Sequence, residues 1–565
     1  MKRQVLYAGL LAASLAHAGE IAVNQVGYLP GAAKVAAVPA GAATAFRVVD
    51  AAKGAVVLRG TLGPAATWDA SGEAVQLADF SALKQPGNYR LQVDGLPDSP
   101  PFAVADNAYA ALNAASIKAF YFNRASTPLL PAHAGRFSRP AGHPDERVLV
   151  HASAASASRP EGTVISSPKG WYDAGDYNKY IVNSGITVYS MLAAYEHFPA
   201  LFKDQKLGIP ESGNSLPDLL NETLWNLDWM LTMQDPADGG VYHKLTNLRF
   251  DGNVMPADAK TERYVVQKTT AAALDFAAVM AQASRVYAAF ESQRPGLSAR
   301  MLAASRRAWD WAQANPRQLY KQPSDVHTGT YGDNEVSDEF LWAGAELFVT
   351  TGETRYRPDL AKAPTGVPSW ADVKGLAWIT LAHHRSKLTD ADNVIVKARV
   401  MSVADELLAT WRASAYRVGM RPKDFEWGST SSALNRALML LQAYRLQPQP
   451  DTLAAAQALF DSVMGRNPLG RSMVTGFGTK PPMHPHHRPS EADGIDAPVP
   501  GFISGGPNPG QQDKAGCPVP YPSKMPALSW LDHYCSYASN EIAINWNAPL
   551  VYVSAALQAL TPKAR

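Results

Sequence analysis

The chain has 565 residues, of which 46% are hydrophobic and 18% charged. That composition supplies a sizeable core and excludes a mainly disordered chain, and the length points to two to four domains or one large domain with an attachment. With 52 basic and 50 acidic side chains the formal net charge is +2, a balance that gives no support for nucleic-acid or membrane-surface binding and suits a neutral substrate.

The first residues, "MKRQVLYAGLLAASLAHAGE", put Lys2 and Arg3 ahead of an apolar stretch and Ala16-His17-Ala18 at a cleavable position. This is the pattern of a secretory signal over residues 1–18. Its removal takes away two basic charges and leaves no net formal charge. No later stretch reads as a membrane span. The expectation is a secreted or periplasmic protein without a mature membrane anchor, and no protein partner is predicted.

Residues 20–104 alternate short apolar or β-branched runs ("KVAAVP", "TAFRVVD", "AVVLRG", "GNYRLQV") with Gly, Pro and Asp. This predicts a small antiparallel sandwich. From 105 onward helical patterns dominate, near 105–123, 181–198, 215–234, 268–291, 298–313, 333–350, 371–386, 391–415, 429–445, 451–465 and 539–561. Alanine supplies helix propensity, as in "AAALDFAAVMAQASRVYAAF". An all-α domain over 105–565 follows. Periodicity alone leaves a toroid, a superhelix and a bundle open.

Two connections, about 124–180 and 466–538, are too long for simple links and read as binding or catalytic loops. The first ends in "KGWYDAGDYNKY", where Asp173 and Asp176 flank Ala174-Gly175 amid aromatic residues. On a turn entering a helix, two such carboxylates can hold one water. The plainer alternative is a helix cap beside a solvated Asp. In the second loop "MHPHHRP" carries His484, His486, His487 and Arg488. A hydroxyl- and carboxylate-orienting cluster is at least as economical as a zinc site, because Pro485 fixes awkward geometry between the histidines; a purely structural loop is the further alternative.

Near the C-terminus, "YASNEIAINWNAPLVY" begins the last helix, with Asn540 expected as its cap and Glu541 in its first turn. A carboxylate there stays ionised unless burial or another carboxylate keeps it protonated. One carboxylate taking a proton from water and an opposed carboxylic acid protonating a departing sugar oxygen is glycosidase chemistry. Cys517 and Cys535 are the only cysteines. A disulfide and two free buried thiols are both compatible with them in an oxidising compartment.

In order along the chain, "IAVNQVGYLP", "GWYDAGDYNKY", "IPESGNSLPDLLNETLWNLDWML", "DGGVYHKLT", "YGDNEVSDEFLWAGAELF", "GRNPLGRSMVTGFGTKPPMHPHHRPS" and "YASNEIAINWNAPLVY" resemble glycoside hydrolase family 9, a family of mainly cellulases. The likeness spans almost the whole mature chain. It implies an N-terminal immunoglobulin-like domain at 20–104, a catalytic (α/α)6 barrel at 105–565 and an inverting mechanism. By motif, Asp176 would be the general base, Asp173 would hold the attacking water and Glu541 would be the general acid. His486 and Arg488 would contact sugar, Tyr537 would border the cleft, and Asp532 would shape the acid's electrostatic surroundings.

The family often binds calcium near an acidic segment like "LPDLLNE", which makes Asn221, Glu222 and the distant Asp258 candidate ligands of a structural ion. The family's occasional zinc site lacks its cysteines around "YFNRAS". No cofactor is needed for the chemistry itself. Trp427 and Trp342 are candidate sugar platforms, with core packing as the alternative for each. The expected substrate is a β-1,4-glucan or cellooligosaccharide in soluble or amorphous form, cut internally. An exo-acting cellodextrinase, a chitosan-oligosaccharide glucosaminidase and a non-catalytic sugar-binding protein are the competing readings.

Overall fold

A computed structural model describes residues 19–563; the expected signal segment lies outside them. Seven strands form the N-terminal domain: β1 (Val35–Pro39), β2 (Ala45–Asp50), β3 (Val56–Thr61), β4 (Ala66–Thr67), β5 (Ala74–Asp79), β6 (Gly87–Gln92) and β7 (Phe102–Val104). They make two antiparallel sheets, ordered β1-β5-β4 and β3-β2-β6-β7. Alternation decides the register: Val48 lies opposite Leu91, and both point inward with Val38, Phe46, Ala78 and Phe80. The result is an immunoglobulin-like sandwich.

Eleven long helices follow: α1 (Ala110–Phe122), α2 (Ile181–His197), α3 (Asp218–Thr232), α4 (Thr270–Tyr287), α5 (Leu297–Ala314), α6 (Ser337–Thr351), α7 (Lys374–His383), α8 (Asp390–Ala413), α9 (Ser429–Leu446), α10 (Pro450–Val463) and α11 (Ile544–Leu560). Helices α2, α4, α6, α7, α9 and α11 each pack on the next, and α11 returns to α2, which closes an inner ring of six. Outer helices α1, α3, α5, α8 and α10 brace that ring. Between α6 and α7 the outer position holds only a short turn, Thr354–Tyr356. This is an (α/α)6 barrel. The inner helices are buried on almost all sides: in α4, 17 residues from Thr270 to Tyr287 are buried. Small alanines allow that crowding.

The two ends of the ring differ chemically. At the C-terminal ends, Arg445 of α9 donates to His197 and His383, while Arg285 of α4 pairs with Glu196 and Glu346. Burial, then Arg445, pushes the His383 imidazole down to about 4, so this plug holds neutral histidines. At the N-terminal ends, the long loops gather over a small sheet ordered β10-β11-β12-β8-β9, made of β8 (Val148–Val150), β9 (Val164–Ile165), β10 (Lys179–Tyr180), β11 (Lys244–Thr246) and β12 (Tyr264–Val265). Inner-helix N-termini carry partial positive charge, so this is the end that favours anionic side chains.

The sandwich is fused to the barrel rather than tethered to it. Asn24 Nδ2 donates to Asp461 Oδ1 at 2.8 Å, and the Gln25 side chain accepts from the backbone of Thr479 at 2.9 Å. Trp68 packs against Tyr416 with ring centroids 4.8 Å apart. Asp461 is buried, and burial pushes its carboxyl up to about 6 against the opposing pull of Arg466. Asn24→Ala leaves that carboxyl short of a donor and is expected to cost about 1–3 kcal/mol, read as a lower midpoint in denaturant with unchanged slope. Deleting residues 20–104 uncovers the whole face, so it should lower the melting temperature far more than it alters substrate affinity in whatever fraction stays folded.

Candidate active site

The catalytic turn runs from Trp171 to Tyr180 and feeds directly into α2. It is held from behind: Trp171 Nε1 donates to Glu222 Oε1 at 2.8 Å, and its backbone N–H donates to Asn226. From above, Arg488 Nη1 donates to the Gly175 carbonyl at 2.7 Å. From the side, the first N–H of α11, at Ile544, donates to the Asp173 carbonyl at 2.8 Å. A Cβ on Gly175 would sit 2.3 Å from the His486 carbonyl oxygen. Only glycine fits.

Asp173 and Asp176 are both buried. Asp173 accepts from Asn183 Nδ2 at 2.9 and 3.0 Å and from the Tyr331 hydroxyl at 2.8 Å. Burial, then the neighbouring Asp176, pushes Asp173 up to about 8. Asp176 accepts from Asn178 Nδ2 at 2.5 Å and from the Tyr180 hydroxyl at 3.4 Å. Burial raises Asp176 as well, while Arg488 pulls it back. Two buried carboxyls that repel each other favour a shared, singly ionised state over two separate charges. The Arg488 charge biases the anion toward Asp176.

Glu541 faces this pair. The Gly175 N–H, lying between the two aspartates in sequence, donates to Glu541 Oε1 at 3.3 Å. Burial, followed by the charges of Asp176 and Asp173, holds the Glu541 carboxyl well above the usual carboxylate range. Both causes favour its proton-bearing form opposite the two aspartates. Its backbone setting differs from the expectation. The short turn Tyr537–Asn540 ends at Asn540, Glu541 is extended (φ −69°, ψ 157°), and Ala543 precedes α11. Asn540 is no cap, because it lies inside the short turn and its Oδ1 accepts from Ser504 Oγ at 2.8 Å, while its Nδ2 donates to His484 O and Asp532 Oδ1. Outside the first turn, Glu541 escapes the helix terminus that would have favoured its ionised form.

The remaining expected residues separate into those at the site and those elsewhere. His486 pairs its backbone with the Glu541 segment, and its Nδ1 lies 2.7 Å from Tyr534 O. That carbonyl requires the proton on Nδ1 and leaves Nε2 as the acceptor. Burial pushes the ring down to about 4, so it is neutral. Asp532 accepts from Arg471 and from the backbone of Met483 and His484. It pins the histidine loop and reaches Glu541 only through Asn540; the charges acting on the acid are those of Asp176, Asp173 and Arg488. Tyr537 lies 5.4 Å from Trp427, which is 42% exposed, and 5.9 Å from His486. These form one aromatic run leading away from the acid. Trp342 is different. It is 0% exposed inside α6, edge-on to Tyr189, and is core rather than platform. Cys517 and Cys535 are joined in a disulfide that closes the loop ahead of Tyr537.

The candidate calcium ligands do not fit a cation. Arg124 Nε and Nη2 donate to Glu222 at 2.8–3.1 Å, and its Nη1 and Nη2 donate to Glu211 at 3.0 Å. A guanidinium already neutralises this carboxylate. Asn221 bonds to Asn214 and to the backbone, and Asp258 is exposed. Elsewhere Asp275, Asp333, Asp338 and Glu339 gather near the open end, and burial raises each of them. Among the described residues, no three His, Cys, Asp or Glu side chains are arranged to hold a metal ion.

Sequence reasoning missed Tyr331. Its hydroxyl is Asp173's closest partner, and its backbone has φ +44°, which non-glycine residues rarely adopt. The signal was modest: a tyrosine between Gly329-Thr330 and Gly332, opening the quoted "YGDNEVSDEF".

Two buried aspartates facing Glu541 beside aromatic side chains, on an (α/α)6 barrel, are the arrangement of a glycoside hydrolase. Sequence comparison agrees. Residues 109–554 match the model of glycosyl hydrolase family 9, and residues 16–98 match the cellulase N-terminal ig-like domain. The chain belongs to glycoside hydrolase family 9 and hydrolyses β-1,4-glucosidic bonds. It is 44% identical over 556 residues to a xyloglucan-specific endo-beta-1,4-glucanase, BoGH9A, of Bacteroides ovatus, covering 96% of this chain and 94% of that protein. It is 30% identical to a cellodextrinase of Butyrivibrio fibrisolvens, covering 94% and 98%. The solved structure of a Bacteroides ovatus GH9 protein superposes with a TM-score of 0.90 over 96% of this chain and 99% of that one, at 43% identity. Among the described residues no helix is long and apolar enough to cross a membrane.

Asp173 also sets a stability expectation. Its folded value, about 8, lies above the unfolded 3.8. Folding therefore takes up a proton, and this contribution is full below the unfolded value and lost as pH rises toward 8. Asp173→Asn cannot titrate. Its melting temperature should fall less than the wild type's between pH 5 and pH 8, while its turnover drops by about 100-fold or more.

Proposed function

We propose that this enzyme is an inverting endoglucanase acting on accessible β-1,4-glucan chains, including branched ones of the xyloglucan type, and that it works outside the cytoplasm, secreted or periplasmic. Asp176 acts as general base, Asp173 steadies the same water, and Glu541 protonates the leaving oxygen. The observation that carries this reading is the Gly175 N–H bond to Glu541 Oε1, which ties a proton-bearing acid to the turn that bears the base.

Each group then has a defined task. The anionic member of the pair withdraws a proton from water as that water attacks the anomeric carbon. Glu541 gives its proton to the glycosidic oxygen as the bond breaks, and the two carboxyls exchange states before the next cycle. Water must fit between base and sugar, so an acid–base separation of roughly 6.5–9.5 Å is needed for inversion. Arg488, fixed on the Gly175 and Asp251 carbonyls, keeps Asp176 anionic as sugar displaces solvent. Trp427 and Tyr537 offer ring faces to sugars beyond the point of cleavage.

The substrate breadth rests on the relatives: the 44% identical protein is named for xyloglucan, and the more distant one for cellodextrins. Loss of viscosity should outpace reducing-end release on tamarind xyloglucan and carboxymethylcellulose. Equal rates would favour the exo reading, and activity confined to chitosan oligosaccharides would overturn the substrate class. Glu541→Gln should lose about 1,000-fold on glucan but recover much of that on an aryl cellobioside with a good leaving group, whereas Asp176→Asn should stay inactive on both. Identical responses from the two variants would contradict the role assignment.

A further inference from the structure

The strand β11 lies directly behind the catalytic turn. Its Lys244 is paired across the sheet with Tyr180, and the backbone N–H of Ile181 donates to the carbonyl of the preceding residue, His243. Both side chains point the same useful way. Lys244 Nζ donates to the Gly329 carbonyl at 2.6 Å and to Thr328 Oγ1 at 3.0 Å, while His243 Nε2 lies 3.0 Å from the Thr330 carbonyl. Two consecutive residues thus clamp two consecutive carbonyls. Tyr331 comes next. Its left-handed backbone is a strained state that persists only where its surroundings over-determine it. A Cβ on Gly329 would lie 3.1 Å from both Tyr180 Oη and Tyr331 Cε2, so the turn has no slack.

Lys244 is fully buried, yet among the described residues no carboxylate stands within ion-pair distance of it. An unpaired buried cation is expensive, and one kept at such a cost calls for a use. The charge that acts on it is that of Asp176, reached past the Tyr180 ring, which Lys244 Nζ faces at 5.6 Å.

We propose that Lys244 is a positioning residue for the carboxylate pair: it fixes the Gly329–Thr330–Tyr331 turn that presents the tyrosine hydroxyl to Asp173, and its charge favours the ionised form of Asp176. This rests on the roles assigned above to Asp173 and Asp176. The groups facing Lys244 are Asp176 from the catalytic turn, Tyr180 from β10, Tyr320 from the loop before α6, and His243 on its own strand. Burial keeps Tyr320 protonated across this range and holds His243 down at about 3, so among these groups Lys244 is the one whose charge changes near pH 7, while burial raises Asp176 above the usual carboxylate range. Burial brings Lys244 itself down to about 7, with Asp176 opposing that fall, so its charge is full on the acidic side of neutrality and is lost as pH rises through about 7.

The test is the pH dependence of kcat and kcat/KM on xyloglucan oligosaccharide and on an aryl cellobioside, for the full-length enzyme. Lys244→Met should lower kcat by about tenfold to 100-fold with little change in KM, and should move the acidic limb, which reports the base, upward by about one pH unit. Lys244→Arg should return the limb toward its wild-type position. Tyr331→Phe combined with Lys244→Met should cost less than the product of the two single losses, because both act through one turn. Should the methionine variant not fold, Lys244→Gln keeps a polar side chain at this place without the charge; it should show the same shift of the acidic limb. An unmoved limb in a folded, uncharged variant, or a loss confined to KM, overturns the proposal. Asp176→Asn measured alongside separates the two levels: if it retains activity, the assignment of the pair fails, and if it is dead while the limb in Lys244→Met stays put, only the role of Lys244 fails.

Discussion

The site depends on ring closure. Helices α2 and α11 are the first and last of the inner ring, and they are neighbours only because the ring shuts. Their junction carries the Gly175 N–H bond to Glu541, the Ile544 N–H bond to the Asp173 carbonyl, and the strand-like pairing of His486 with Glu541. Gly175 and Glu541 are 366 positions apart in the chain, so the spacing of the carboxyls is set by how the ring closes rather than by local sequence. Gly175 is the contact point. It must be glycine because the His486 carbonyl already occupies the place of a Cβ.

Around that junction the fold uses electrostatics in a consistent direction. Burial raises Asp173, Asp176 and Glu541 together, and the charge of Asp176 raises Asp173 and Glu541 further. Arg488 is bonded to backbone carbonyls rather than to either aspartate, so it lends charge without locking the base in an ion pair. Behind the turn, Arg124 spends its charge on Glu211 and Glu222, and Glu222 in turn holds Trp171. The histidines near the acid and those in the plug at the far end of the ring are pushed down by burial and are neutral. Their work is hydrogen bonding.

Much of this was legible in the residues, for physical reasons. Alanine-rich segments with apolar positions at helical spacing read as helices because nothing local competes; the stretch anticipated at 268–291 is α4 at 270–287, and that at 429–445 is α9 at 429–446. The aspartates of the catalytic turn and Glu541 stood out by motif. What was hidden depended on distant contacts. Trp342 could not be told from a platform, since a tryptophan in an amphipathic helix looks the same on either face. Glu222 looked like a calcium ligand because Arg124, almost a hundred positions away, gives no local sign that it will reach it. Glu541 was placed in a helical turn because the stretch from Asn540 to Ile544 has helix-like composition, and only the pairing of Glu541 with His486 and of Ile542 with Ser504 pulls it into extended form. Tyr331 escaped notice because backbone strain leaves no mark on composition.

Splitting the catalytic apparatus between residues near 175 and residues near 541 has a temporal side. A chain still being synthesised owns Asp173 and Asp176 long before it owns Glu541. Until the final helix arrives and seats against the first, the two halves cannot meet, and the polypeptide has no hydrolytic power to direct at sugars around it. Competence therefore arrives in a single late step, simultaneous with completion of the ring itself.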